Sequence, residues 1–409
     1  MKCRFCNNDL KFVFIDLYNS PPSNSFLTKE QLNEEEKYFP LKIFVCENCF
    51  LVQTGEYKKA KEIFDKDYVY FSSYSKSWLK HCEEYSEKTI KRFGINNNSL
   101  VMEIASNDGY LLQFFNKKNI PVLGIEPTEG TAKAAIAKGI NTIVEFFGET
   151  FAKRLITQNS KANLLIGNNV LAHVPDINDF VKGMKIALKD DGVITMEFPH
   201  LLKLVDENQF DTIYHEHFSY LSFTTVEKIF DAHGLTIFDV DEIPTHGGSL
   251  RIYAQHKEYN ITRKVEDNIN KLKEKEKSAG ISEINFYTGF QDKANNIKYD
   301  LLEFLIKEKS AGRKIAAYGA AAKGNTMLNY SGIRADLINF VADASPHKQN
   351  KFLPGSHIPV VTEDELKNYK PDLILILPWN IKDEIIEQLD YARKWNAKFV
   401  TAIPKLKIF

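Results

Sequence analysis

Short apolar runs alternating with helix-period stretches organise the chain from Ser99 onward. Leu100–Ile104 reads as a strand, Ala105-Ser106-Asn107-Asp108-Gly109 as a turn, and Tyr110–Phe115 as a helix start. Val122–Ile125, Leu164–Gly167 and Gly192–Phe198 repeat the strand pattern, the last after a helix ending near Leu188. Apolar runs this short suit strands buried on both faces, and their alternation with helices predicts a doubly wound sheet. Between 261 and 310 the spacing changes. Val265, Ile269 and Leu272, then Ile297, Leu301 and Leu305, recur at helical intervals in a charge-rich stretch, so two helices broken near Gly280 are expected. Lys314–Gly319, Asn339–Asp343 and Leu373–Leu377 then restart the strand pattern. The predicted fold class is α/β, with an N-terminal lobe over 1–75, a central Rossmann-like sheet over 76–258, and a helical linker with a second Rossmann-like α/β domain over 259–409.

Composition narrows the function classes. Lys and Arg number 53 against 54 Asp and Glu, a formal charge of -1, which excludes a general polyanion-coating surface and makes nucleic acid an unexpected partner. The run Lys271–Lys277 reads as a solvated helix face. No apolar run approaches the ~20 residues of a membrane-spanning helix, so no membrane partner is expected. Met1-Lys2-Cys3-Arg4 leads into no signal-peptide core, and a cytoplasmic location is the expectation.

Four of the five cysteines lie in the first 49 residues. Cys3 and Cys6 form one Cys-x-x-Cys knuckle, and Cys46 and Cys49 form another after a gap of 39 residues. Two such pairs supply four thiolates for one tetrahedral zinc ion, and a full thiolate set leaves no open position for catalysis. The expected zinc is therefore structural. Cys82 stands alone and is expected to be a small buried residue.

The turn after Leu100–Ile104 keeps only Gly109 of a dinucleotide fingerprint, so a pyrophosphate cradle is weakly supported there. Glu103 at the strand end suits a cationic ligand, and Glu126, 23 positions on, stands where a carboxylate meets ribose hydroxyls. S-adenosylmethionine has the sulfonium, ammonium and ribose that such a site fits.

Acid–base groups concentrate in Tyr214-His215-Glu216-His217-Phe218-Ser219-Tyr220, beyond a strand's carboxyl end. In an extended chain Tyr214 and His217 would face opposite ways; on a turn or short helix they converge, so a turn is predicted. An imidazole titrating near neutrality suits proton abstraction beside a carbonyl, and neighbouring donors suit the enolate oxygen. His-Glu-His lacks the helical spacing of a zinc pair, and His215 is expected to point away from His217. His200 and His233 read as surface or satisfied histidines. In His246-Gly247-Gly248-Ser249-Leu250-Arg251 the glycines admit close backbone approach and Arg251 could fork onto a phosphate, a plain hairpin being the alternative. The loop Ala320–Thr326 places a lysine and backbone amides before a helix, an arrangement that attracts phosphate.

The segments Glu-Ile-Ala-Ser-Asn-Asp-Gly-Tyr-Leu-Leu (103–112), Gly-Ile-Glu-Pro-Thr (124–128) and Asn-Asn-Val-Leu-Ala-His-Val-Pro-Asp (168–176) resemble those of class I methyltransferases. More narrowly, the chain resembles the C-methyltransferases of nucleotide-linked keto-deoxysugars, over nearly its whole length. The resemblance implies a zinc-binding lobe, a class I methyltransferase core and a C-terminal domain that holds the substrate's nucleotide diphosphate. It implies cofactor contacts at Glu103, Ala105, Asn107, Asp108, Glu126 and Asn168, with Ala105 where many methyltransferases have glycine. It implies His217 as the base, Tyr214 and Glu216 holding the sugar, and Tyr68 and His173 completing the pocket; Tyr70 competes with Tyr68 for that role. Substrate contacts are expected from His246, Gly247 and Arg251, and from Tyr318, Lys323, Asn325, Asp343, Lys348 and Trp379. The expected substrate is a 4-keto-deoxysugar, methylated at C3, carried on dTDP with GDP or CDP as alternatives, and the expected state is a monomer. The competing readings are O- or N-methylation of a nucleotide sugar, and a zinc-containing binding module on a vestigial methyltransferase fold.

Overall fold

The computed structural model describes residues 1–57, 71–158, 161–259 and 263–409. Its strands run in chain order as β1 (Phe12–Ser20), β2 (Phe39–Val45), β3 (Val52–Thr54), β4 (Val101–Ile104), β5 (Val122–Ile125), β6 (Thr142–Ile143), β7 (Ala162–Asn168), β8 (Leu188–Pro199) and β9 (Ser219–Tyr220). They continue as β10 (Leu235–Ile243), β11 (Ser249–His256), β12 (Ile315–Tyr318), β13 (Val341–Ala342), β14 (Val360–Val361), β15 (Leu373–Ile376), β16 (Lys398–Thr401) and β17 (Lys407–Ile408).

The central sheet has the order β10-β11-β8-β7-β4-β5-β6. β4 pairs in parallel with β5 on one side and β7 on the other, so the chain reverses its direction of growth between β4 and β7. A crevice opens at such a switch point, outside the carboxyl ends of the strands. All four β4 residues, Val101-Met102-Glu103-Ile104, are buried, as an apolar strand covered on both faces requires. The C-terminal sheet, β14-β13-β12-β15-β16-β17, has a second switch point between β12 and β15.

The N-terminal lobe is a four-stranded sheet, β1-β2-β3-β9. Its last strand comes from the central unit: Val52 pairs with Tyr220 and Gln53 with Ser219. The lobe is packed against both α/β units. Cys3, Cys46, Cys49 and Leu51 join the core of the central sheet, whereas Phe14, Leu17 and Leu41 join that of the C-terminal domain. Phe14 stacks on Phe290 with ring centroids 4.6 Å apart.

The linker is the predicted pair of helices, Asp267–Ala279 and Phe290–Ser310. Gly280 ends the first in the left-handed conformation (φ 84°), which glycine adopts without strain. This helix also carries a polar anchor into the core. Glu276 is fully buried and accepts from the backbone amides of Phe223 and Thr224 at 2.7 and 2.8 Å, the first residues of helix Phe223–Ala232. His200 Nε2 lies 2.7 Å from the same carboxylate, so this histidine is a buried core residue anchored through one ring nitrogen, while its Nδ1 is buried without a hydrogen-bond partner. His233, the second histidine without a pattern, meets Asn178 Oδ1 at 2.8 Å.

Burial opposes ionisation of Glu276, but the His200 contact and the Thr224 bonds outweigh it and hold the carboxyl below its ordinary value of 4.5. A depressed carboxyl contributes stability above the unfolded-state value that disappears as pH falls through the folded one. Glu276→Gln is expected to cost about 3 kcal/mol at pH 7. In urea unfolding at a series of pH values, that gap should narrow below pH 4.5.

Candidate functional site

The two knuckles converge. Cys3 Sγ lies 3.6 Å from Cys49 Sγ and Cys6 Sγ 3.4 Å from Cys46 Sγ, with all four sulfurs within 4.8 Å of one another. Four thiolates bound at ~2.3 Å around one zinc would stand ~3.8 Å apart, so the donor set fits a tetrahedral ion. Gln53 Nε2 donates to Cys3 Sγ at 3.1 Å and, through Oε1, Gln53 accepts from the Arg4 amide, an outer contact that orients the ligand. Cys82 is buried elsewhere in the core, as expected.

The cofactor candidates gather at the first switch point. Glu103, the penultimate residue of β4, is fully buried; neither carboxylate oxygen makes a full hydrogen bond, though the Tyr110 hydroxyl approaches it. Burial, with Glu126 and Asp108 adding, pushes this carboxyl well above 4.5. Glu126 follows β5 and accepts from the Asn107 amide at 2.8 Å and the Thr128 amide at 2.9 Å. Ala105 and Asn107 both adopt positive φ (56° and 48°), which accounts for glycine being common at the first of these places. Asp108 is paired with Lys138 at 3.0 Å. Asn168 ends β7 with both side-chain amide atoms buried and unpartnered.

The acid–base segment forms a turn. The His217 amide donates to Tyr214 O at 2.9 Å, and the two rings meet with centroids 4.0 Å apart. His173 closes edge-on at 4.6 Å. His217 Nδ1 lies 2.8 Å from the Thr212 carbonyl, which can only accept, so Nδ1 carries the proton and Nε2 keeps a lone pair. Burial holds His217 well below its ordinary 6.5, with His173, Lys323 and His246 pushing the same way against the Thr212 bond. His173 and His246 are pushed down to about 4, again chiefly by burial. Glu216 accepts from Asn24 Nδ2 at 2.7 Å. His215 points away to Pro40 O at 3.2 Å. Tyr68 and Tyr70 lie outside the described residues.

The C-terminal domain closes on this turn. Trp379 Nε1 donates to Asp211 Oδ2 at 2.7 Å, and Thr326 Oγ1 to Ile213 O at 2.9 Å. Lys323 sits 4.9 Å over the Trp379 ring and donates to Asn380 Oδ1 at 2.7 Å. Burial raises Asp211 to about 6 despite Lys323 and Trp379. Asn325 is buried with its side-chain amide unpartnered. Asp343 accepts from the Ala320 and Ser345 amides at 2.7 and 2.8 Å, and Lys348 donates to Ala320 O at 2.9 Å. Tyr318, the last residue of β12, donates to Glu363 at 2.5 Å and accepts from Gln388 at 2.7 Å.

Two expectations change. Arg251 is not free for a phosphate: its guanidinium is buried against Glu197 Oε2 at 2.5 Å and lies over the Tyr85 ring. Despite burial, Arg251 and His81 hold Glu197 down to about 2, so the pair is fully charged and internally matched. The glycines of the His246 turn serve packing within the chain. A Cβ on Gly247 would stand 2.5 Å from Trp379 and 2.8 Å from Gln209 Nε2. The segment is a hairpin connection between β10 and β11, with His246 at φ 55° and its Nε2 accepting from Asn169 Nδ2 at 2.9 Å. Sequence reasoning missed Asn169, Glu197, Gln209 and Asp211. Asn169 stood inside a segment already quoted and Asp211 three residues before Tyr214, whereas Glu197 and Gln209 carried no local signal.

Comparisons with known proteins cover the same three parts. Residues 3–64 match the family model described as "Putative zinc binding domain", 78–240 that described as "Methyltransferase domain", and 244–404 that described as "C-methyltransferase C-terminal domain". The chain is 30% identical over 407 residues to C-methyltransferase NovU of Streptomyces niveus, across 100% of this chain and 96% of the relative. Similar solved structures include the PH0226 protein from Pyrococcus horikoshii OT3, at 16% identity and a TM-score of 0.39, over 46% of this chain and 95% of that one. Magnesium protoporphyrin IX methyltransferase from Synechocystis PCC 6803, with bound SAM, matches at 14% identity and a TM-score of 0.33, over 43% of this chain and 78% of that one. The chain belongs to the C-methyltransferase family that includes NovU.

Two outcomes follow from the site. Metal analysis should find about one zinc per chain, lost in Cys3→Ser together with the tetrahedral thiolate spectrum of the cobalt-substituted protein. In an NMR titration of the free protein, the His217 ring should stay neutral through pH 6.5 and protonate only below it.

Proposed function

We propose, from this C-methyltransferase membership and the geometry of the turn, that the protein methylates a carbon of a nucleotide-linked 4-keto-deoxysugar, with C3 as the target. His217 acts as the base. One observation carries this reading: a buried imidazole, its Nδ1 proton held by Thr212 O, keeps its Nε2 lone pair beside the rings of Tyr214 and His173. A group poised in that form accepts a proton without first losing one.

S-adenosylmethionine, the methyl donor of this reading, supplies an electrophilic methyl on a sulfonium. The residues at the first crevice fit it. Glu126 keeps acceptor capacity beyond its bonds from two amides and the Thr128 hydroxyl, Asn168 has an unused amide, and the Glu103 carboxyl suits a cationic neighbour. At the second crevice Lys323 and Asn325, at the start of helix Ala322–Ser331, suit a diphosphate.

The step balances within the named groups. His217 Nε2 takes the proton from the carbon next to the keto group, and the C–H pair becomes an enolate whose oxygen carries the charge. Tyr214 and His173 stand beside the ring to orient the sugar, and the Tyr214 hydroxyl is the donor to that oxygen. The enolate carbon forms the new bond to methyl while the methyl–sulfur bond breaks, leaving a neutral thioether. The proton then leaves His217 for solvent.

His217→Ala should abolish methyl transfer and the exchange of the substrate's acidic C–H with solvent deuterium, while titration calorimetry shows S-adenosylmethionine binding retained. The assay is a panel of dTDP-, GDP- and CDP-linked keto sugars read by mass spectrometry, with carbon NMR locating the methyl group. Full activity in the variant, or a methyl group found on oxygen or nitrogen, would overturn the assignment.

A further inference from the structure

Arg4 sits between the first two zinc-ligand candidates and is held by carbonyl oxygens. Its Nη1 donates to Pro175 O and its Nη2 to Thr54 O, each at 2.6 Å, and the guanidinium lies 5.4 Å over the Phe218 ring. Among the described residues no carboxylate forms an ion pair with it at contact distance. A guanidinium fork matches two carbonyls on separate segments in a way a lysine ammonium cannot.

Those carbonyls close a ring of main-chain bonds. The Thr54 amide donates to Phe218 O at 3.1 Å, and the Phe218 amide to Ala172 O at 2.8 Å. Ala172 precedes His173 and Pro175 follows it by two residues; Phe218 follows His217 directly. The ring of Arg4, Thr54, Phe218, Ala172 and Pro175 thus joins the first knuckle to both imidazoles of the candidate site. The knuckle itself is tied down separately, since Asn178 Nδ2 donates to the carbonyls of Arg4 and Phe5 at 3.1 and 2.9 Å.

We infer that Arg4 is a positioning residue, which fixes the mutual placement of His173 and His217 by clamping the segments that carry them to the four-cysteine knuckle. The inference rests on reading His217 as the base only for its kinetic consequence. The placement itself is independent of that reading, and the two are tested separately.

Arg4→Lys keeps the charge and much of the stem but removes the fork; Arg4→Gln removes both. In each variant zinc content and the thermal midpoint report whether the lobe is intact. In the intact Arg4→Lys protein the ring resonances of His173 and His217 should shift or double, while those of His200 and His357 hold. On the keto sugar turned over in the panel above, kcat should fall about tenfold or more, with KM for S-adenosylmethionine within about twofold. Unmoved His173 and His217 resonances in a zinc-loaded, folded Arg4→Lys protein would overturn the placement. So would a kcat loss that only tracks lost zinc or lost folded protein. If the wild-type chain turns over none of the panel, the function reading fails and the ring resonances still decide the role of Arg4.

Discussion

The pairing of Ser219 and Tyr220 with Val52 and Gln53 is the constraint on which the candidate site depends. His217 belongs to no helix or strand. Its turn is buried, and a buried loop survives only if its backbone groups find partners. Those partners come from four directions: Thr212 O at the ring, Tyr214 O at the amide, Ala172 O at the next amide, and Thr54 N at the next carbonyl. Two of these lie outside the turn, and the Thr54 bond exists only because the small N-terminal sheet accepts β9 as its edge. The lobe is too small to hold that sheet rigidly through an apolar core alone, which gives the four thiolates a purpose 168 residues upstream of His217.

The C-terminal domain supplies the other wall. Trp379, which follows β15, spans the seam by bonding Asp211 and packing on Gly247. Gly247 is where a side chain would force the two walls apart. Lys323 enters on the same seam, and its charge helps to keep His217 and His246 neutral. The formal charge of -1 over the whole chain is thus compatible with strong local fields: charge is segregated by wall rather than accumulated on a surface.

Much of this was legible in the sequence, for identifiable reasons. Seven strands of the two α/β units, β4, β5, β7, β8, β12, β13 and β15, were legible as apolar runs, and the cysteine pairs carry their geometry in their spacing; β6, β14 and β17, of two residues each, show no such run. The convergence of Tyr214 and His217 followed from their separation once a turn was assumed. What could not be read were partnerships across the chain. Arg251 looks like a phosphate ligand until Glu197, 54 positions away, is found against it. Gly247 looks like room for a ligand until Trp379 fills the space. Arg4 looks like a knuckle spacer, and its carbonyl partners, having no side-chain signature, leave no trace in the sequence. Ser219 and Tyr220 are too few to show a strand period.

The distribution of charge across the site bears on the proposed chemistry. On the cofactor side stand Glu103, Glu126 and Asp108, with Glu103 driven toward its neutral form by burial and by the other two. On the wall supplied by the C-terminal domain, the proposed substrate side, stands Lys323, with Asp211 raised to about 6 beside it. A cation is therefore favoured on the first wall and an anion on the second, with neutral imidazoles between. Methyl transfer from a sulfonium to an enolate consumes one positive and one negative charge, so charge diminishes toward the transition state. Such a reaction runs faster where the dielectric is low, because less solvation is lost as the charges cancel. Burial of His217 acts in opposite directions on the two proposed steps. It keeps the imidazole neutral before substrate binds but disfavours the proton transfer, which creates an imidazolium and an enolate; it favours the methyl transfer, which consumes charge. The enolate formed beside the imidazolium offsets that buried charge until the proton leaves.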